Sequence, residues 1–122
     1  MRVRDLTYAA ALTLFGVVTA AAAETDFEKV NDQQQFVELI NGKELTRPLI
    51  RLRVTPDGRI EGRGAAWDVT GQWSWRDGYF CRDLFWGGDE LGYNCQEVQA
   101  RDGRIKFTSD KGAGMSAEFR LK

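Results

Sequence analysis

The chain has 122 residues, with 17 Lys and Arg against 18 Asp and Glu, two cysteines and no histidine. A net charge of −1 excludes a strong pull toward nucleic acid or an anionic membrane surface. Without histidine there is no Ser-His-Asp or Cys-His catalysis, and the commonest zinc and haem ligands are missing.

Taken in chain order, the first element reads as a targeting signal. Arg2 and Arg4 supply a positive start, Leu6 to Val18 is mostly apolar, and Ala21 and Ala23 fit a small-residue cleavage site. The reading is a signal peptide over 1–23 and a single disulfide-stapled β domain over 24–122, periplasmic or secreted. The apolar run falls short of the roughly 20 residues that span a bilayer, so no stable membrane insertion is expected. The leader carries Arg2, Arg4 and Asp5, which leaves 15 basic against 17 acidic residues in the mature chain, a net −2.

One helix is expected, Asp32 to Ile40. Asp32 and Gln35 have capping-box spacing, because a carboxylate there accepts from the free amides of the first turn. Phe36, Val37, Leu39 and Ile40 form an apolar stripe, and Gly42 stands where a left-handed C-cap needs no Cβ. After Pro48 the pattern changes to period two. Ile50, Leu52 and Val54 alternate with Arg51 and Arg53, the mark of a half-buried strand.

The turn at Pro56-Asp57-Gly58 suits a three-residue hairpin loop. That register sets Val54 opposite Ile60, Leu52 opposite Gly62 and Arg53 opposite Glu61 as an exposed ion pair. Turn signals return at Arg76-Asp77-Gly78, Arg101-Asp102-Gly103 and Gly112-Ala113-Gly114. They separate expected strands at 49–54, 59–64, 67–75, 79–86, 93–99, 104–109 and 115–121. The fold class is therefore mainly β, an antiparallel meander of about seven strands. It forms a small barrel or strongly bent sheet, with one short N-terminal helix and one disulfide.

The segment from Gly71 to Val98 holds both cysteines and three of the four tryptophans. A turn centred on Gly88 puts Cys81 opposite Cys95, Asp83 opposite Tyr93 and Phe85 opposite Leu91. An adjacent-strand disulfide is feasible at such a pair, and export favours it. A three-residue loop at Arg76-Asp77-Gly78 then sets Trp73 opposite Cys81 and Trp75 opposite Tyr79. One face gathers Trp67, Trp73, Trp75, Tyr79, Tyr93 and Asp83. It reads as core, or as a cup for a small apolar molecule or a sugar. The other face carries Phe80, Leu84 and Trp86, either covered by the helix or left open for a periplasmic protein partner.

No catalytic, cofactor-binding or metal-binding residue is singled out, and no cofactor is expected. Gly62-Arg63-Gly64 lacks the third glycine and the following helix of a nucleotide site. Asp83 with Glu97, or Asp89 with Glu90, are the only acid pairs on which a glycosidase-like enzyme would draw, and nothing in their spacing selects them. The order of expectation is a binding module or inhibitor of unknown ligand, then an envelope structural or protein-interaction protein, then an enzyme. Oligomeric state is not legible.

The string G-x-W-x-W-x-D-G-Y-F-C-R over 71–82, followed by L-G-Y-N-C-Q over 91–96 and S-D-x-G over 109–112, resembles a group of small exported alphaproteobacterial, Rhodobacter-like proteins. The resemblance covers most of the mature chain and implies export without assigning an activity. Some members carry a dihydrodipicolinate reductase label. Reductases of that name are longer, cytoplasmic and built on a Rossmann domain whose fingerprint this chain lacks, so the label is set aside.

Overall fold

In a computed structural model, residues 26–122 are described, and the expected leader at 1–23 lies outside them. The elements are β1 (Glu28–Lys29), α1 (Gln33–Ile40), β2 (Leu45–Arg47), β3 (Ile50–Val54), β4 (Arg59–Gly64) and β5 (Trp67–Arg76). They continue with β6 (Tyr79–Trp86), β7 (Asp89–Glu90), β8 (Asn94–Arg101), β9 (Arg104–Thr108) and β10 (Ser116–Leu121). Neighbours in the sheet run β1-β8-β9-β10-β2-β3-β4-β5-β6-β7, and β6 also pairs with β8. That last pairing closes eight strands, β2 to β6 and β8 to β10, into an antiparallel barrel. The barrel strand missed in the sequence is β2, three residues ending just before Pro48, and outside the barrel the two-residue β1 and β7 were missed as well, all too short to display a period of two.

Local chemistry explains the helix. Asp32 adopts extended backbone and its side chain accepts from the Gln35 amide at 2.9 Å. Gln35 Oε1 reaches back to the amide of Asn31 rather than of Asp32, at 3.0 Å. Gly42 takes φ +72° just beyond the helix, as its place there requires. Phe36 and Ile40 are fully buried and seal one end of the barrel. There Phe36 meets Trp73, Trp75 and Phe80 at ring distances of 5.1, 5.2 and 5.1 Å.

The β3–β4 hairpin has the expected register, with Val54 opposite Ile60 and Leu52 opposite Gly62. Arg53 faces Glu61, but Glu61 lies against Arg59 Nη1 at 3.6 Å, so the anticipated ion pair is replaced by one within β4. The β5–β6 hairpin corrects the sequence reading. Trp73 stands opposite Arg82, Ser74 opposite Cys81 and Trp75 opposite Phe80. The cause is the loop. Asp77 and Gly78 both have positive φ, 53° and 87°, which makes a two-residue type I′ turn. Pro56 forbids that conformation in the earlier turn because its ring fixes φ near −65°. A slip of one residue sends Trp73 and Trp75 to the face opposite the cysteines.

The disulfide is present, Cys81 to Cys95, with Cα atoms 3.9 Å apart. The turn beyond it is also tighter than expected. Gly87 and Gly88 both have positive φ, Trp86 pairs with Asp89 and Phe85 with Glu90. Phe85–Leu91 and Asp83–Tyr93 are therefore not ladder pairs. Residues 91–93 leave the ladder and absorb one residue, after which Asn94 faces Arg82.

These registers put Phe80, Arg82, Leu84 and Trp86 on the inner wall with Trp73 and Trp75, so Phe80, Leu84 and Trp86 are not an outer contact patch. The disulfide lies outside with Ser74. Where β5 and β6 approach closely, Gly71 carries no side chain; a Cβ there would come within 2.2 Å of the Asp83 carbonyl oxygen. Backbone cannot yield as a flexible side chain does. Gly71→Ala is expected to cost about 3 kcal/mol, at the upper end of ordinary overpacking. Urea denaturation checks it, and an unchanged midpoint would show that β5 and β6 have room to part.

Candidate binding site at the open end of the barrel

Helix α1 covers the end formed by the C-termini of β5, β8 and β10. The opposite end carries the β2–β3, β4–β5 and β9–β10 turns and the excursion from Gly87 to Tyr93. Among the described residues the exposed large apolar side chains are Leu49, Trp67, Phe85, Leu91, Tyr93 and Met115, ranging from 36% exposed for Phe85 to 85% for Met115. All six lie at or next to this open end. Apolar side chains scattered singly need no explanation, but a ring of them around one opening does.

Inside the opening is a cavity of about 150 Å³. Its lining includes Leu45, Phe80, Phe107 and Phe119, all buried, and Leu52, Arg82, Leu84 and Ala117, half-buried. Along β6 from Phe80 to Leu84, and along β10 from Phe119 back to Ala117, exposure rises toward the uncovered end, which marks a cup entered from that side. Two polar side chains interrupt the apolar lining. Gln96 Nε2 donates to Ser109 Oγ at 3.1 Å, and Arg82 Nη1 donates to the carbonyl of Gly92 at 2.7 Å. Burial pulls the Arg82 guanidinium below the usual arginine range, while the neighbouring Asp83 pulls the other way. Among the described residues no ion pair includes Arg82.

The surrounding loops are fastened. Asn94 Nδ2 donates to Asp110 Oδ1 at 2.8 Å, and Asn94 Oδ1 accepts from the Asp110 amide at 3.0 Å. This clamps the turn at Asp110–Gly112 against β8. Trp86 lies over Gly64, where its Nε1 donates to the Gly64 carbonyl at 3.1 Å; a Cβ on Gly64 would come within 2.5 Å of the Trp86 ring.

The face expected from sequence is divided by the register slip. Trp73 and Trp75 belong to the covered end, with Trp73 Nε1 bonded to the Thr55 carbonyl at 2.9 Å. Tyr79 and Asp83 are on the outer wall with the disulfide. Trp67 and Trp86, assigned to different faces, instead flank one depression at the rim with Leu91, and Tyr93 projects from the same loop. Asp83 and Glu97 lie on opposite sides of the disulfide and form no pair, and Asp89 and Glu90 are exposed. Sequence reasoning missed Arg82, Gln96, Leu49 and Met115. For Arg82 the signal was present, since it alternates in phase with Phe80 and Leu84.

No protein-family model, curated protein or solved structure matches the chain.

Proposed function

We propose that this protein is an exported, periplasmic binding module, non-catalytic, that takes a small apolar ligand into the cup opposite α1. The observation that carries the reading is the apolar cup itself, with the exposed apolar side chains of the described residues gathered at the same end of the barrel, outside its lining. Small-molecule sites are concave, mostly apolar and furnished with a few placed polar groups. A sugar fits less well, because its many hydroxyls would meet only Arg82 and Gln96 as side-chain partners in the lining. The disulfide fits an oxidising compartment, which supports export.

Methyl NMR titration of the mature protein with toluene tests the reading. Saturable shifts are expected at Leu52, Leu84 and Ala117, with the Leu39 and Ile40 methyls little changed. Absence of shifts at the cup, or shifts confined to the helix, would sink it. A second reading, an envelope protein that binds a protein partner through its rim, draws on Leu49 and Met115. These are the two most exposed apolar side chains among the described residues and, like the other four at the rim, they lie outside the cup.

A further inference from the structure

We propose that the cup selects a small organic anion, a monocarboxylate on an apolar body of about benzene size, with Arg82 as the group that holds the carboxylate. The inference rests on the barrel-mouth reading above and narrows it to one chemical class.

Size comes first. A cavity of about 150 Å³ with aliphatic and aromatic walls accommodates a body such as benzene. Charge comes second. Arg82 is the sole cation lining the cup and stands at the entry level, above Phe80 and Phe107. An arginine keeps its charge in a protein and carries five donors in a planar fork that matches a carboxylate. Among the described residues only the Gly92 carbonyl accepts from it. No acidic side chain lines the cup, and Asp83, its chain neighbour, faces the outer wall. An anion at the entry therefore meets a positive charge that has no ion-pair partner among the described residues, in a partly water-excluded site where charge-assisted hydrogen bonds are stronger than neutral ones.

Along β6 the lining runs Phe80, Arg82, Leu84, so the charge stands between a mostly apolar floor, where Gln96 faces Phe80, and the opening. An amphiphilic acid enters tail first and leaves its head at Arg82. A neutral analogue of the same shape keeps the floor contacts and loses the charged bond. A cationic analogue meets like charge at Arg82.

Isothermal titration of the mature protein with benzoate, benzyl alcohol and benzylammonium tests the assignment. Benzoate is expected to bind at least about tenfold tighter than benzyl alcohol, with benzylammonium weakest. In Arg82→Met the preference for benzoate is expected to vanish while benzyl alcohol still binds. Arg82→Lys keeps part of it, and its folded state is checked by near-ultraviolet circular dichroism, since losing the bond to Gly92 can unseat the loop at 91–93. Ala117→Leu, which fills the cup without touching the charge, is expected to abolish binding of both benzoate and benzyl alcohol. Equal affinity for benzoate and benzyl alcohol in the parent protein would overturn the anion assignment and leave the binding-module reading standing. No binding of any probe would overturn both. If Arg82→Met does not fold, the ranking in the parent and in Arg82→Lys decides.

Discussion

Phe36→Ala is expected to lower stability by about 3–5 kcal/mol, the usual range for emptying an aromatic core site. Phe36 is wholly buried and is the one residue of α1 whose ring meets four aromatic neighbours, Trp73, Trp75, Phe80 and Phe107. An eight-residue helix is too short to persist in water by itself, so its order depends on that docking. The loss compares with a total stability of about 5–15 kcal/mol for a typical domain, and it should lower Tm by more than about 12 °C. Guanidinium denaturation followed by tryptophan emission checks the magnitude. Near-ultraviolet dichroism should lose intensity from Trp73 and Trp75 as their partner ring disappears. A cost below about 1 kcal/mol would mean that α1 rests on the barrel without sealing it.

The second large effect concerns the disulfide. Cys81 and Cys95 are 14 residues apart, and closing a loop of that size contributes about 3 kcal/mol in the chain-entropy account. Cys81→Ala with Cys95→Ala is the cleaner comparison, because a serine at the buried Cys81 would hide a hydroxyl from water. The expected result is an unfolding free energy lowered by about 3 kcal/mol for the double variant and a matching loss for the parent under a strong thiol reductant. If reductant leaves the parent unchanged while the variant is weakened, packing of the sulfurs rather than the cross-link is responsible. The two strands are joined by only three register pairs, Phe80–Gln96, Cys81–Cys95 and Arg82–Asn94, so the covalent bond carries an unusual share of that junction.

The antiparallel meander, as a small barrel or bent sheet, the helix with its cap, the β3–β4 register and the cystine were all legible in the sequence because each is set by local chemistry, whereas closure of the barrel was not. A Pro at the first turn position, an Asp three residues before a Gln, and two cysteines about a glycine pair need no tertiary information. The candidate site was less legible, and the reason is one turn. Asp-Gly without a preceding proline is the type I′ signature, and treating Asp77-Gly78 like Pro56-Asp57-Gly58 displaced the register by one. In a period of two that error reverses every face. It left Arg82 unrecognised beside Phe80 and Leu84, and placed Trp73 and Trp75 on the face of Tyr79 and Asp83, which they do not share. The ring of apolar residues at the mouth was hidden for another reason. Leu49, Trp67, Leu91 and Met115 come from four separate loops, and only barrel closure brings them around one opening.

Strand β2 is the narrowest stave of the barrel. It meets β10 at Leu45–Leu121 and Thr46–Arg120, with Glu44 and Lys122 exchanging both backbone bonds at 2.9 Å, and its contact with β3 spans three residue pairs. The cystine rivets the comparably short β6–β8 junction, so any transient parting of the wall falls at β2 instead. Parting there exposes the unpaired edges of β3 and β10, and an edge so exposed is a template for another chain. Under partial denaturation, pairing between copies is therefore expected to start at those two edges, and the cross-link that holds the barrel together keeps the β6–β8 junction out of it.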